Sequence, residues 1–243
     1  MSKKIIYDPF LPFEFIDSED YLRASYIPKI DIDDNILLDE LGKINFTRVH
    51  YISRFGKANR TPRLTWCYGK INNNVNESVE YKGLNFEPEA MPQWLEKLSK
   101  ECRNISIYRY GFDPKYNSCI IGKYENSDDQ IGFHFDTETF LTHHFCANVT
   151  LGYARDFQFK DENKQLYEIK LQNASVLFFS GLEHSLPKRS SRDKDQVRYS
   201  ISFRNMKNNI GIGNSYYYCR GLAGAIDDDD KLIYEQKLKE LQL

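Results

Sequence analysis

Cysteine is scarce in this 243-residue chain. There are five, at positions 67, 102, 119, 146 and 219. An odd number, widely spaced and without a Cys-x-x-Cys pair, excludes a disulfide framework and a zinc-thiolate site and fits packing thiols in a reducing compartment. Glycine (13) and proline (8) are also few, which excludes a collagen-like repeat and a low-complexity linker protein. No apolar run approaches the roughly 18 residues of a membrane span. The start, Met1-Ser2-Lys3-Lys4 followed by Ile5, Ile6, Tyr7 and Asp8, lacks the apolar stretch of a signal peptide. The expectation is an intracellular protein with no membrane partner, nucleus and cytoplasm being left open. What is present, 41% hydrophobic, 14% aromatic and 28% charged residues, is the balance of a folded chain with a sizeable core.

Charge is unevenly distributed behind a formal net charge of −2. Arg48 to Lys70 holds six basic residues and no acidic ones, and Leu186 to Lys207 holds seven basic and two acidic. Two positive segments on an otherwise acidic chain would focus an anionic partner on one face, although solvated loops would look the same on charge alone.

Residues 1–47 mix short apolar runs with acidic stretches and read as an extension covering the scaffold. Residues 48–102 are a second unit. Within it, Met91, Trp94, Leu95 and Leu98 recur at helical spacing behind Pro88 and Pro92, which predicts an amphipathic helix over Pro88 to Glu101. Residues 103–210 change texture. Eight short β-rich segments are predicted: Ile105–Tyr110, Cys119–Tyr124, Gln130–Phe135, Ala147–Tyr153, Asp156–Lys160, Tyr167–Leu171, Ser175–Phe179 and Tyr199–Arg204. Turn residues at 111–114, 125–129 and 161–164 separate them, so the reading is an antiparallel sandwich or jelly roll. Residues 211–243 are Gly-rich, then acidic, then end in a stretch from Lys231 to Leu243 that reads as a capping helix.

His134 and Asp136 lie two residues apart on one predicted strand and therefore on one face. With His184 downstream they supply two imidazoles and a carboxylate, the facial triad of a non-haem Fe(II) oxygenase, which leaves positions for a co-substrate and oxygen. His-x-Asp alone is a weak signal. Arg198 and Arg204, six residues apart on a later strand, strengthen it, because two guanidiniums on one strand face require anionic partners. A 2-oxo acid with a second carboxylate would satisfy metal and arginines together, since the planar fork of Arg matches a carboxylate.

Over Arg54 to Arg204 the sequence resembles the AlkB-like Fe(II)/2-oxoglutarate dioxygenases, most closely the animal-type DNA repair branch. The blocks are Arg54-Phe-Gly-Lys57, Thr61-Pro-Arg-Leu-Thr-Trp-Cys-Tyr-Gly69, Ile121-Gly-Lys-Tyr124, Ile131-Gly-Phe-His-Phe-Asp-Thr-Glu138, Arg155-Asp-Phe-Gln-Phe159, His184-Ser-Leu-Pro187 and Arg198-Tyr-Ser-Ile-Ser-Phe-Arg204. The resemblance implies an α+β, mainly β fold: a double-stranded β-helix (jelly-roll) core with N-terminal helix support and a nucleotide-recognition lid. It implies that His134, Asp136 and His184 hold Fe(II). Tyr124 and Arg198 would bind the distal carboxylate of 2-oxoglutarate, and Arg204 would lie near its metal-proximal carboxylate. Two positions depart from the family: Gly122 and Ser200 stand where it usually has, or often has, Asn.

The activity implied is oxidative demethylation of bases such as 1-methyladenine and 3-methylcytosine in single- or double-stranded DNA by a monomer, with succinate, CO2 and formaldehyde as products. A methyl group on a paired ring nitrogen is unreachable in a duplex, so single strands or a flipped base are required. Phe55 matches an apolar finger that fills the gap left by a flipped base. Lys57 and Arg63 would contact phosphates. Glu138 would accept from an exocyclic amine, and Tyr81 matches an aromatic lid position. An RNA demethylase of the same chemistry, and a non-catalytic nucleic-acid-binding protein on an oxygenase fold, are the alternatives.

Overall fold

The computed structural model describes residues 3–16, 22–52, 58–69, 79–81, 84–86, 89–136, 145–189 and 196–205. Strands β1 (Ile5–Ile6), β2 (Phe13–Ile16) and β3 (Leu22–Ile27) precede helix α1 (Asp34–Gly42). Next come β4 (Thr47–Ile52), β5 (Ala58–Gly69), β6 (Val79–Tyr81), β7 (Leu84–Phe86), β8 (Glu89–Ala90) and helix α2 (Gln93–Tyr110). The strands that follow are β9 (Ser118–Tyr124), β10 (Ile131–His134), β11 (Cys146–Gly152), β12 (Arg155–Lys160), β13 (Leu166–Leu171), β14 (Ser175–Phe179), β15 (Glu183–Leu186) and β16 (Arg198–Arg204).

Two sheets face each other as a jelly roll. The larger runs β2-β3-β14-β11-β16-β9-β5-β4, with β8 added beside β5, and the smaller runs β1-β13-β12-β15-β10. Alternation at period two explains the layering. Ile121, Val149, Ile201, Phe203 and Phe178 point to the helix side and pack with Leu95, Leu98 and Cys102 of α2. Tyr124, Cys146, Leu177 and Phe179 point between the sheets and meet Phe157, Phe159, Ile169 and Leu171. Four cysteines, 67, 102, 119 and 146, are buried free thiols, as expected of packing residues.

The expected strand Ile105–Tyr110 is instead the end of α2. Ile105 and Ile107 alternate with polar residues, but Leu95, Leu98, Ser99, Cys102 and Ser106 form one continuous buried helical face. The helix stops at Gly111, whose φ of 63° provides the left-handed cap and whose N–H donates to Ile107 O at 3.0 Å. The apolar run at Ile36–Leu41 is part of α1, where the Asp33 carboxylate accepts from the Ile36 N–H at 3.1 Å. Residues 22–27, read as part of a covering extension, form β3, which pairs with β14 and places Tyr26 in the core.

Gly152 closes β11 opposite Arg198. Its φ is 83°, and a β-carbon there would lie 2.5 Å from the Val197 carbonyl oxygen, so this turn admits only glycine.

Candidate metal and co-substrate site

His134 ends β10 and His184 sits on β15, and the two strands pair with these residues in register. Asp136 follows two residues later. The ligand atoms of the three side chains all lie within 4.8 Å of one another, an arrangement able to hold a metal ion. His134 Nε2 is 3.7 Å from Asp136 Oδ1.

Both imidazoles are held in the same way. His134 Nδ1 lies 2.8 Å from Gly132 O, and His184 Nδ1 lies 2.9 Å from Leu182 O. A carbonyl only accepts, so each Nδ1 carries the proton and each Nε2 is the ring nitrogen able to ligate a metal. The His184 ring is further fixed by Phe157 (5.4 Å, stacked) and Phe179 (4.7 Å, edge-on). Arg204 Nη2 donates to Asp136 Oδ2 at 2.6 Å, with both groups buried, which orients the carboxylate.

The pocket beside this cluster is lined by His134, His184, Tyr124, Arg63, Arg198 and Arg204, with Asn148, Ser200 and Ser202 among its polar wall. Register explains the convergence: Arg198 pairs with Tyr124, and Asn148 pairs with Ser202. Arg198 is 1% exposed. Its Nη2 donates to Thr150 Oγ1 at 3.0 Å, while its Nε and Nη1 are buried without a hydrogen-bond partner among the described residues. Burial, with repulsion from Arg155 and Arg63, pushes its pKa down to about 10. Such a cation needs an anion, and a dicarboxylate in this pocket would meet that need. The donor set therefore fits Fe(II) and a 2-oxo diacid. Tyr124 stands between two guanidiniums, with Arg198 5.2 Å and Arg155 5.7 Å from its ring. Arg155 braces the rim by donating to Asp129 O at 2.9 Å and Pro187 O at 2.6 Å.

Sequence reading missed Asn148. It is 8% exposed, with Nδ2 2.7 Å from Ser200 Oγ and 2.8 Å from Ser202 Oγ. The amide absent at 200 is thus matched by one on the neighbouring strand, a relation visible only once β11 and β16 pair. Arg63, expected at phosphates, lines the pocket. Tyr81 ends β6, paired with Leu84 of β7. Phe55, Lys57 and Glu138 lie outside the described residues, as does the helix expected at 231–243.

No curated protein sequence matches the chain significantly. Its fold is similar to the solved structure of OsALKBH1, with a TM-score of 0.55 and 18% identity over 76% of this chain and 100% of that one. It is likewise similar to an oxidoreductase of the 2OG-Fe(II) oxygenase family from Burkholderia pseudomallei, with a TM-score of 0.55 and 14% identity over 77% of this chain and 88% of that one. Residues 37–204, which span α1 to the end of β16 and include every residue of the cluster, match the 2OG-Fe(II) oxygenase superfamily. Cluster, buried guanidiniums and family match agree on Fe(II) and 2-oxoglutarate as cofactor and co-substrate, and the chain belongs to the 2OG-Fe(II) oxygenase superfamily.

Proposed function

We propose that this oxygenase is an oxidative demethylase of N-alkylated bases in DNA, of the animal-type AlkB-like repair branch. The observation that carries the reading is where the basic segment Arg48–Lys70 falls. Its strand β5 is hydrogen-bonded to β9, the strand of Tyr124, and to β4, so the described part of the segment reaches the pocket at Arg63 and continues across the outer strands of the larger sheet to Arg48, which is ion-paired with Asp129. A nucleic acid strand tracking that edge would bring a base to the metal cluster. OsALKBH1, by its name an AlkB homologue, supports the same reading.

In this assignment His134, Asp136 and His184 hold Fe(II), and Tyr124 and Arg198 hold the distal carboxylate of 2-oxoglutarate. Arg204 keeps Asp136 in place beside the proximal end. Iron and 2-oxoglutarate, when bound, would let O2 hydroxylate an N-methyl group: one oxygen atom goes to the methyl carbon and the other to succinate as 2-oxoglutarate loses CO2, and the hydroxymethyl amine then releases formaldehyde. Phe55 fills the gap left by a flipped base, Lys57 meets phosphate, Tyr81 covers the base and Glu138 accepts from its exocyclic amine.

The test is incubation with Fe(II), ascorbate and 2-oxoglutarate together with single- and double-stranded DNA and RNA oligonucleotides carrying 1-methyladenine or 3-methylcytosine. Loss of the methyl group from DNA by mass spectrometry, with stoichiometric succinate, is the expected result. Turnover of RNA alone would move the assignment to an RNA demethylase, and turnover of neither would end the nucleic-acid reading.

A further inference from the structure

Arg63, Arg198 and Arg204 all line the co-substrate pocket, and its described lining contains no Asp or Glu. Arg204 is already paired with Asp136 at 2.6 Å. Arg63 and Arg198 make no ion pair with any described carboxylate, so two positive charges share one pocket without a compensating anion among the described residues. Partly buried cations in that state favour a ligand bearing a carboxylate in reach of both.

The path of the Arg63 side chain is specific. It leaves β5 two residues before Thr65, and Thr65 pairs with Gly122 of β9. A β-carbon built on Gly122 would lie 3.4 Å from Arg63 Cδ and 3.5 Å from its Nε. The arginine stem therefore runs over Gly122, at the position where related sequences usually carry Asn. A side chain at 122 would touch this stem and would crowd Tyr124, whose Cε2 would lie 3.3 Å from the same β-carbon. Replacing a neutral amide with a guanidinium from the neighbouring strand changes the pocket's demand from a hydrogen-bonding group to a negative charge.

We propose that Arg63 is a co-substrate residue: with Arg198 and Tyr124 it grips the distal carboxylate of 2-oxoglutarate and makes the pocket selective for a 2-oxo diacid over a 2-oxo monoacid. The inference rests on the co-substrate assignment above and not on the nucleic-acid reading. It moves Arg63 from the phosphate-binding surface to the oxidation site, and it gives Gly122 a role, leaving room for the stem.

The experiment titrates the Fe(II)-loaded protein without oxygen with 2-oxoglutarate and, separately, with 2-oxobutyrate, which keeps the metal-binding 2-oxo acid and lacks the distal carboxylate. Binding is read by calorimetry and by the visible charge-transfer absorption. Arg63→Gln should weaken 2-oxoglutarate roughly ten- to a hundredfold, the range of a charge-assisted hydrogen bond, and leave 2-oxobutyrate within about twofold. Arg63→Lys, a point charge without the fork, should recover part of the loss, and it carries the comparison if the Gln variant folds poorly. Unchanged 2-oxoglutarate affinity, or an equal loss for both acids, would overturn the assignment. Weaker oligonucleotide binding with unchanged 2-oxoglutarate binding would return Arg63 to phosphate contact. No nucleic acid is present in the titration, so failure of the demethylase reading leaves its outcome intact.

Discussion

Arg198→Met separates binding from stability. The wild-type guanidinium is fully buried and donates to Thr150, while two of its nitrogens face no partner among the described residues. A pKa lowered by burial to about 10 corresponds to about 3 kcal/mol of penalty for keeping the charge in the ligand-free protein. Methionine has similar length and no charge, so it removes that penalty and forfeits a hydrogen bond worth about 1 kcal/mol. The ligand-free variant should gain about 2 kcal/mol and melt roughly 4–8 °C higher, given the usual response of a domain of this size. Wild type should gain about 2.7 kcal/mol from 2-oxoglutarate at a hundredfold excess over Kd, and the variant almost nothing. The sign with pH follows from linkage. The folded protein releases the Arg198 proton more readily than the unfolded chain, so the unfolded chain holds more protons above about pH 10. The penalty therefore fades, and the advantage of methionine shrinks, as pH rises through 10. The assay is thermal unfolding by circular dichroism with and without 2-oxoglutarate, on Mn(II)-loaded and metal-free protein. A variant that melts below wild type without ligand, or that responds equally to 2-oxoglutarate, refutes the account of Arg198 as an anion-seeking cation.

Ser200→Asn should destabilise the protein by about 1–3 kcal/mol, because the larger amide meets Asn148 across the strand pair; adding Asn148→Ser should restore most of the loss, and a denaturant double-mutant cycle that finds additive effects would dismiss the coupling. His134→Ala and Asp136→Ala should each abolish succinate formation and lower metal affinity in a chelator competition, whereas retained turnover would remove them from the metal site. Asp113 is held near pKa 2 by the side-chain hydrogen bond from Arg103, at 2.7 and 2.6 Å. A depressed carboxylate adds stability above its unfolded value and loses it as pH falls from about 4 to about 2, so Asp113→Asn should flatten acid unfolding across that window, and an unchanged acid limb would discount the pair.

Legibility differed by the range of the interactions involved. His134, Arg198 and Arg204 were readable because each lies on an expected strand whose alternation fixes its face, whereas Asp136 follows the end of β10 and His184 sits on a strand that was not expected, so these two were legible from the ligand set and the family resemblance. The strands from Cys119 onward were readable by the same alternation, except β15, whose four residues Glu183–Leu186 were not expected as a strand. The end of α2 was not, since Ile105 and Ile107 alternate like a strand and only Gly111 and the long buried face to Ser106 reveal the helix. Strand β3 owes its identity to pairing with β14, about 150 residues distant in sequence. Asn148 and Arg63 join the pocket through neighbours on other strands, and no local window contains that information.

Gly152 contributes no chemical group to the pocket, yet the phase of the strand that carries Arg198 and Arg204 is indexed at this residue. The backbone before Arg198 rests against it with no room for a methyl group. A shift of β16 by a single position would turn both arginines toward the helix layer and present Tyr199 and Phe203 in their place. An alanine at 152 would then be read as a binding defect by anyone who assayed only the co-substrate, although the lesion is one of alignment.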